Sequence, residues 1–263
     1  MATLQQISEG VGEVFEAGGL EVDDLALAFD AALSEQGDGG VQDTAQSGPI
    51  ERNQSHRHKD KHWAHLTSKD LINWEWQPVA LTPSDWFDSH GVFSGHALSQ
   101  GDELMLFYTG NVRIGEQRDR HTTQCLAIST DGIHFTKHGP VVPELPPGVT
   151  PHIRDPKIIR HNDRWLMLLG AQREDEVGRL AIYQSQDLKS WSFLALCGDE
   201  LGDFGYMWEC PDFFTLAEQD FIVIGPQGIK SPSEHHHVPH HNGIVKAQLD
   251  ADGRAQLSDF QHL

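Results

Sequence analysis

The chain is poor in the residues that would place it in several common classes of protein. Three cysteines among 263 residues, Cys125, Cys197 and Cys210, cannot form an even disulfide framework. Free thiols and a reducing compartment, the cytoplasm, are therefore expected. No apolar run approaches 18 residues, and no basic segment precedes an apolar one at the start, so neither a membrane span nor a signal peptide is expected. Basic side chains are scarce, 19 against 39 acidic, for a formal charge of −20. That argues against nucleic acid and anionic membrane surfaces as partners and leaves a neutral small molecule open. There is no glycine loop of the kind that cradles phosphate and no cofactor motif, so no cofactor is expected.

Residues 1–60 differ from the rest. They hold 12 acidic and 3 basic residues and no tryptophan. Leu20, Val22, Leu25, Leu27, Phe29 and Leu33 fit a short amphipathic helix, followed by a glycine-rich polar stretch. The segment reads as a weakly structured leader, partly helical or disordered. The run His56 to His62 lacks a ligand spacing tied to a helix or hairpin and reads as a solvated loop. The closely spaced imidazoles of His235 to His241 are of a kind that can bind a transition metal, but a solvated insertion loop is the preferred reading there, so no metal is expected.

From residue 61 to 263 the pattern is short alternating apolar runs separated by turn residues, which is all-β. The pattern repeats. Ser-x-Asp-x-x-x-aromatic occurs at Ser68 to Trp74, Ser129 to Phe135 and Ser185 to Trp191, at steps of 61 and 56 residues. A turn acid opening an apolar strand follows the same beat at Asp102, Asp163 and Asp220, with steps of 61 and 57. A third element, Phe93-Ser94-Gly95, Arg154-Asp155-Pro156 and Glu209-Cys210-Pro211, keeps register with both. Four short strands repeated at this period describe a blade, and blades packed radially make a β-propeller. The first strand of each blade lines the axis, so these three triplets should converge on one cavity and bring Asp155 and Glu209 together. The tryptophans Trp63, Trp74, Trp76, Trp165 and Trp191 read as blade core, and Trp86 as a rim contact.

Glu209 lies between Trp208 and Cys210, with Phe213 beyond, a setting that can desolvate a carboxylic acid and keep it protonated. Asp155, beside Arg154, should stay ionised. A protonated glutamic acid is the proton donor of a glycosidase, and carboxylates pushed apart in pKa mark divided roles. A strand-edge glutamate in a structural ion pair would carry the same local sequence.

The runs His62 to Leu71, Ser89 to Gly95, Phe107 to Asn111, Arg154 to Pro156, Leu168 to Gln172 and Gly202 to Asp212 resemble family 32 of the glycoside hydrolases, the β-fructofuranosidases. The likeness, nearest to the sucrose-6-phosphate hydrolases, covers about residues 62–260. It implies a five-bladed propeller that cleaves terminal β-fructofuranosides of the sucrose type with retention. In that family Glu209 would be the general acid/base and Asp155 the carboxylate that binds fructosyl hydroxyls and stabilises the transition state. Arg154, Phe93 and Ser94 would shape the subsite, Cys210 would tune Glu209, and Asp203 would contact the sugar. The family's nucleophile is an aspartate in a Trp-(Met/Leu)-Asn-Asp-Pro-Asn-Gly motif, which does not occur in residues 1–263. The expectation is an incomplete copy with three to four of the five blades, its first blade reduced to an outer half at about residues 62–81.

Overall fold

The structure, a computed structural model, describes residues 26–28, 61–230 and 241–263, with side chains for all but the first three. Twelve of its strands form three four-stranded antiparallel meanders. The first comprises β4 (Val92–Gln100), β5 (Glu103–Ile114), β6 (Asp119–Ser129) and β7 (Thr136–Val142), paired in that order. The second comprises β8 (Val149–His161), β9 (Arg164–Arg173), β10 (Gly178–Ser185) and β11 (Ser192–Cys197), and the third β12 (Met207–Leu216), β13 (Gln219–Gln227), β14 (Gly243–Leu249) and β15 (Ala255–His262). A smaller sheet is made of β1 (Ala26–Ala28), β2 (His65–Thr67) and β3 (Glu75–Trp76).

The sheets pack face to face, and strand alternation decides which core each residue enters. In β9, Met167 and Leu169 join the core shared with the preceding sheet, while Leu166 and Leu168 join the core shared with the following one. In β5, Met105 and Phe107 face one way, and Leu106 and Tyr108 face the other, against Trp63 and Leu81, which pair with each other in an isolated bridge. A strand buried on both faces must be apolar at every position, which is why the runs at 104–108 and 165–169 are continuous rather than alternating.

The Ser-x-Asp turns are built alike. Ser68 Oγ accepts the Asp70 and Leu71 amides, and Asp70 Oδ1 accepts those of Ile72 and Asn73 at 2.9 and 2.7 Å. Asp131 Oδ1 does the same for Ile133 and His134, and Asp187 Oδ1 for Lys189 and Ser190. These amides hold all three carboxyls below the usual carboxylate range, Asp187 down to about 2. The residue after each aspartate is left-handed: Leu71 (φ 58°), Gly132 (φ 72°) and Leu188 (φ 64°).

Three expectations need correction. Leu27, assigned to an amphipathic helix, lies in β1, which pairs with β2 in the register Leu27↔Leu66; an open inner strand edge offers backbone partners that outweigh a helical apolar spacing. The rest of that helix and leader lies outside the described residues, as do residues 235–240 of the second histidine-rich run. The first blade is accordingly more than its outer half, since β1 adds a third strand. Trp76 is not core: it is 62% exposed, on a two-residue edge strand. Trp63 is buried, and Trp165 and Trp191 pack against the core as expected.

Candidate active site

The innermost strand of each four-stranded sheet bulges at the triplet singled out by the repeat. Pairing slips between Phe93 and Gly95 in β4, between Arg154 and Lys157 in β8, and between Glu209 and Asp212 in β12. Proline at 156 and 211 has no N–H for the ladder, so each of those strands leaves its pairing there. Asp155 (φ 64°) and Cys210 (φ 47°) take the left-handed conformation at the bulge. Such backbone costs about 1–2 kcal/mol per residue and persists where neighbours hold it.

The hold is visible. The Asp155 amide, freed from its ladder, donates to Thr109 Oγ1 of β5 at 3.0 Å, and Thr109 donates to Gln124 Oε1 of β6 at 2.6 Å. The Cys210 amide donates to Asp155 Oδ2 at 2.9 Å, with its thiol 3.6 Å from the same oxygen. Each bulge amide thus bonds back to the sheet before it. Thr109 and Gln124 carried no role in the sequence reading; a lone threonine closing the apolar run at 104–108 is the signal that could have found one of them.

Arg154 bridges the two carboxylates. Its Nε lies 3.0 Å from Glu209 Oε1 and 3.8 Å from Asp155 Oδ2, and its Nη2 donates to Glu209 Oε1 at 2.5 Å. Arg154 and Asp155 are buried, and the Glu209 side chain is 30% exposed. The nearest charged neighbour of Glu209 is therefore a guanidinium and not an indole. Successive strand residues point to opposite faces, and Trp208 is buried in the core between two sheets, its indole N–H donating to Phe204 O at 2.7 Å. A Cβ on Gly178 or Gly198 would fall 2.4 Å from that ring, so glycine at both positions makes its seat. Phe213 packs on the same core. The aromatic walls expected around Glu209 thus belong to the layer behind it.

Phe93 joins the site through Arg120, whose guanidinium lies 5.9 Å from the Phe93 ring centroid. Ser94 is the half-buried extra residue of the β4 bulge. Cys210 is exposed. Trp86 is 68% exposed, its ring edge-on to Phe87 in the segment ahead of β4, and Asp203 is exposed in the loop between the Asp199–Leu201 turn and β12. No contact among the described residues brings Trp86 or Asp203 to Arg154. The three cysteines are free, Cys125 and Cys197 buried. No group of three or more metal-ligating side chains occurs among the described residues, and no helix there is long and apolar enough to cross a membrane.

Comparison with known proteins agrees with this architecture. Residues 51–262 match the glycosyl hydrolases family 32 N-terminal domain. A probable sucrose-6-phosphate hydrolase of Psychromonas ingrahamii is 84% identical over 206 residues, 78% of this chain and 38% of the relative. The sucrose-6-phosphate hydrolase of Bacillus subtilis is 44% identical over 197 residues, 73% of this chain and 41% of the relative. Among solved structures, a mutant Bombyx mori GH32 beta-fructofuranosidase in complex with sucrose superposes with a TM-score of 0.68 at 36% identity, covering 77% of this chain and 43% of the other. The chain spans about two fifths of the length of the curated relatives it matches. Its all-β sheets in antiparallel meanders and the matched span together place it: the chain belongs to family 32 of the glycosyl hydrolases, whose N-terminal domain it carries.

Proposed function

We propose that the axial site takes the terminal fructosyl unit of a sucrose-type β-D-fructofuranoside, sucrose or sucrose 6-phosphate, with Glu209 as general acid/base. Asp155 binds fructosyl hydroxyls and stabilises positive charge on the sugar, and Arg154 fixes both carboxylates. Phe93, Ser94 and Cys210 form the wall, with Trp86 and Asp203 on the rim. The observation that carries this reading is Arg154 held between Asp155 and Glu209 where two bulged inner strands meet. It agrees with the names of the similar proteins, which hydrolyse sucrose 6-phosphate or, in the silkworm structure, hold sucrose. Residues 61–263 together with the strand Ala26–Ala28 are the propeller unit and the rest of 1–60 its leader, and the three free thiols suit a cytoplasmic protein.

A retaining glycosidase needs a proton donor on the leaving oxygen and a nucleophile on the opposite face of the sugar. Asp155 does not fill the second role, since its Oδ2 already accepts the Cys210 amide and faces Arg154. The chain therefore supplies the acid/base half of the chemistry. The missing nucleophile motif favours a second reading, fructoside binding without turnover.

Sucrose hydrolysis by the purified chain and by Glu209→Gln, alongside a sucrose titration followed by tryptophan fluorescence, tests both. Loss of a general acid lowers the rate by about 10²–10⁴-fold, so any hydrolysis should vanish in Glu209→Gln while sucrose still binds. Saturable binding with no hydrolysis in either protein selects the second reading. A titration with no spectral change, or hydrolysis indifferent to Glu209→Gln, rejects the site.

A further inference from the structure

We propose that Arg113, Arg120 and His152 form an anion subsite on the rim of the axial site, which holds the phosphate of a phosphorylated fructoside. The proposal rests on the fructoside reading above and deepens it by assigning the residues that would select a phosphorylated substrate.

The arrangement begins with a conflict. Arg113 in β5 and Arg120 in β6 are direct register partners across an antiparallel pair. Like charges placed opposite each other are destabilising there. The chain has 39 acidic residues to place beside them, yet among the described residues neither arginine makes an ion pair. Their bonds go to neutral groups: Arg113 Nη1 to Arg118 O at 3.4 Å, and Arg120 Nη1 to Asn111 Oδ1 at 3.3 Å. Arg120 Nε is buried with no hydrogen-bond partner, as is Arg154 Nη1. Two such N–H groups in one cluster call for an acceptor from outside the chain.

The cluster faces the candidate active site. The Arg120 guanidinium lies over the Phe93 ring. Burial first, then repulsion from Arg113 and Arg154, push Arg120 down to about 10, and Glu209 opposes the shift. Burial, then Arg120, Arg154 and Arg113, push His152 of β8 down to about 4, again against Glu209. Three guanidiniums and an imidazole therefore sit within electrostatic reach of one another and of the proposed proton donor. A neutral sugar would leave that charge uncompensated. A phosphate brings close to two negative charges and three acceptor oxygens, and guanidinium is the side chain that takes them in paired hydrogen bonds. A protein of charge −20 repels a sugar phosphate at long range, so retaining one requires a local concentration of cations of this kind.

Titration calorimetry of the whole chain with fructose, fructose 6-phosphate and inorganic phosphate tests the assignment, with Arg113→Gln, Arg120→Gln and Arg120→Lys as variants. In the unaltered chain, fructose 6-phosphate should bind at least about tenfold tighter than fructose, the size of one charge-assisted hydrogen bond, and inorganic phosphate should compete with it. The preference should fall toward parity in both glutamine variants and survive in part in Arg120→Lys. Phosphate binding that both glutamine variants lose, in a chain that binds no fructose, would uphold the anion subsite and reject the fructoside reading. Equal affinity for the two sugars in the unaltered chain, or a preference untouched by both glutamine variants, overturns the proposal. That result stands even where fructose itself binds.

Discussion

Replacing Thr109 by valine tests whether the site is positioned through the bulge of β8. Valine keeps the shape of threonine and removes only the hydroxyl. That hydroxyl accepts the Asp155 amide at 3.0 Å and donates to Gln124 Oε1 at 2.6 Å. Thr109, Gln124 and Asp155 are 0%, 2% and 6% exposed, so water does not readily replace it. A buried polar group left without a partner costs about 1–3 kcal/mol, and two such groups give an expected loss of about 2–6 kcal/mol. With a urea slope of about 2–3 kcal/mol/M, the unfolding midpoint should fall by about 1–2 M. Asp155 would also lose one of the bonds that keep it left-handed, so fructose affinity should weaken as its carboxylate drifts from Arg154. Thr109→Ser keeps the hydroxyl and loses one methyl group, worth about 0.8 kcal/mol, and should retain the affinity. Urea unfolding and a fructose titration of both variants decide the matter. If valine cost no more than serine in stability and left affinity unchanged, the hydroxyl would not be what holds the bulge.

The repeated turns make opposite predictions at equivalent positions. Leu71 is left-handed and 40% exposed, so Leu71→Gly should gain about 0.5 kcal/mol by relieving the αL penalty against glycine's entropy. Leu188 shares the conformation but is 3% exposed in a core, so Leu188→Gly should lose about 2–4 kcal/mol; urea unfolding reads both, and a common sign would contradict the account. The turn aspartates set an acid limit. Their folded pKa values lie below the unfolded value of about 3.9, so their stabilisation is present above pH 4 and is lost as pH falls toward about 2, the value for Asp187. Thermal midpoints of Asp187→Asn should fall less steeply than those of the unaltered chain between pH 4 and 2, and parallel slopes would exclude this turn from the acid transition.

What the sequence disclosed was whatever recurs along the chain. The Ser-x-Asp turns recur because local side-chain to backbone bonds build them, and the inner-strand triplets recur because each sheet must bulge at the same place. From those two elements alone, Asp155 and Glu209 could be placed on adjacent inner strands, where Arg154 joins them. What escaped depends on faces and register. Trp208 and Glu209 are neighbours in sequence yet point to opposite sides of β12, so the aromatic wall imagined for Glu209 is the core behind it. Arg113 and Arg120 stand seven positions apart and oppose each other only because the hairpin between β5 and β6 pairs them. The pairing of Ala26–Ala28 with β2 spans nearly forty residues, and three residues carry too little pattern to announce a strand.

The hydrogen bonds of the bulges run one way around the axis. Gln124 takes the hydroxyl of Thr109, Thr109 the amide of Asp155, and Asp155 the amide of Cys210, so a side chain of β6 is linked to the residue after Glu209 across two sheet boundaries. The location of Glu209 is thus dimensioned from a datum on a distant strand, as parts on a shaft are located from one shoulder. A graft that exchanged one sheet for a homologous one would have to carry over this thread of donors and acceptors, because matching apolar faces alone would leave the axial edge unindexed.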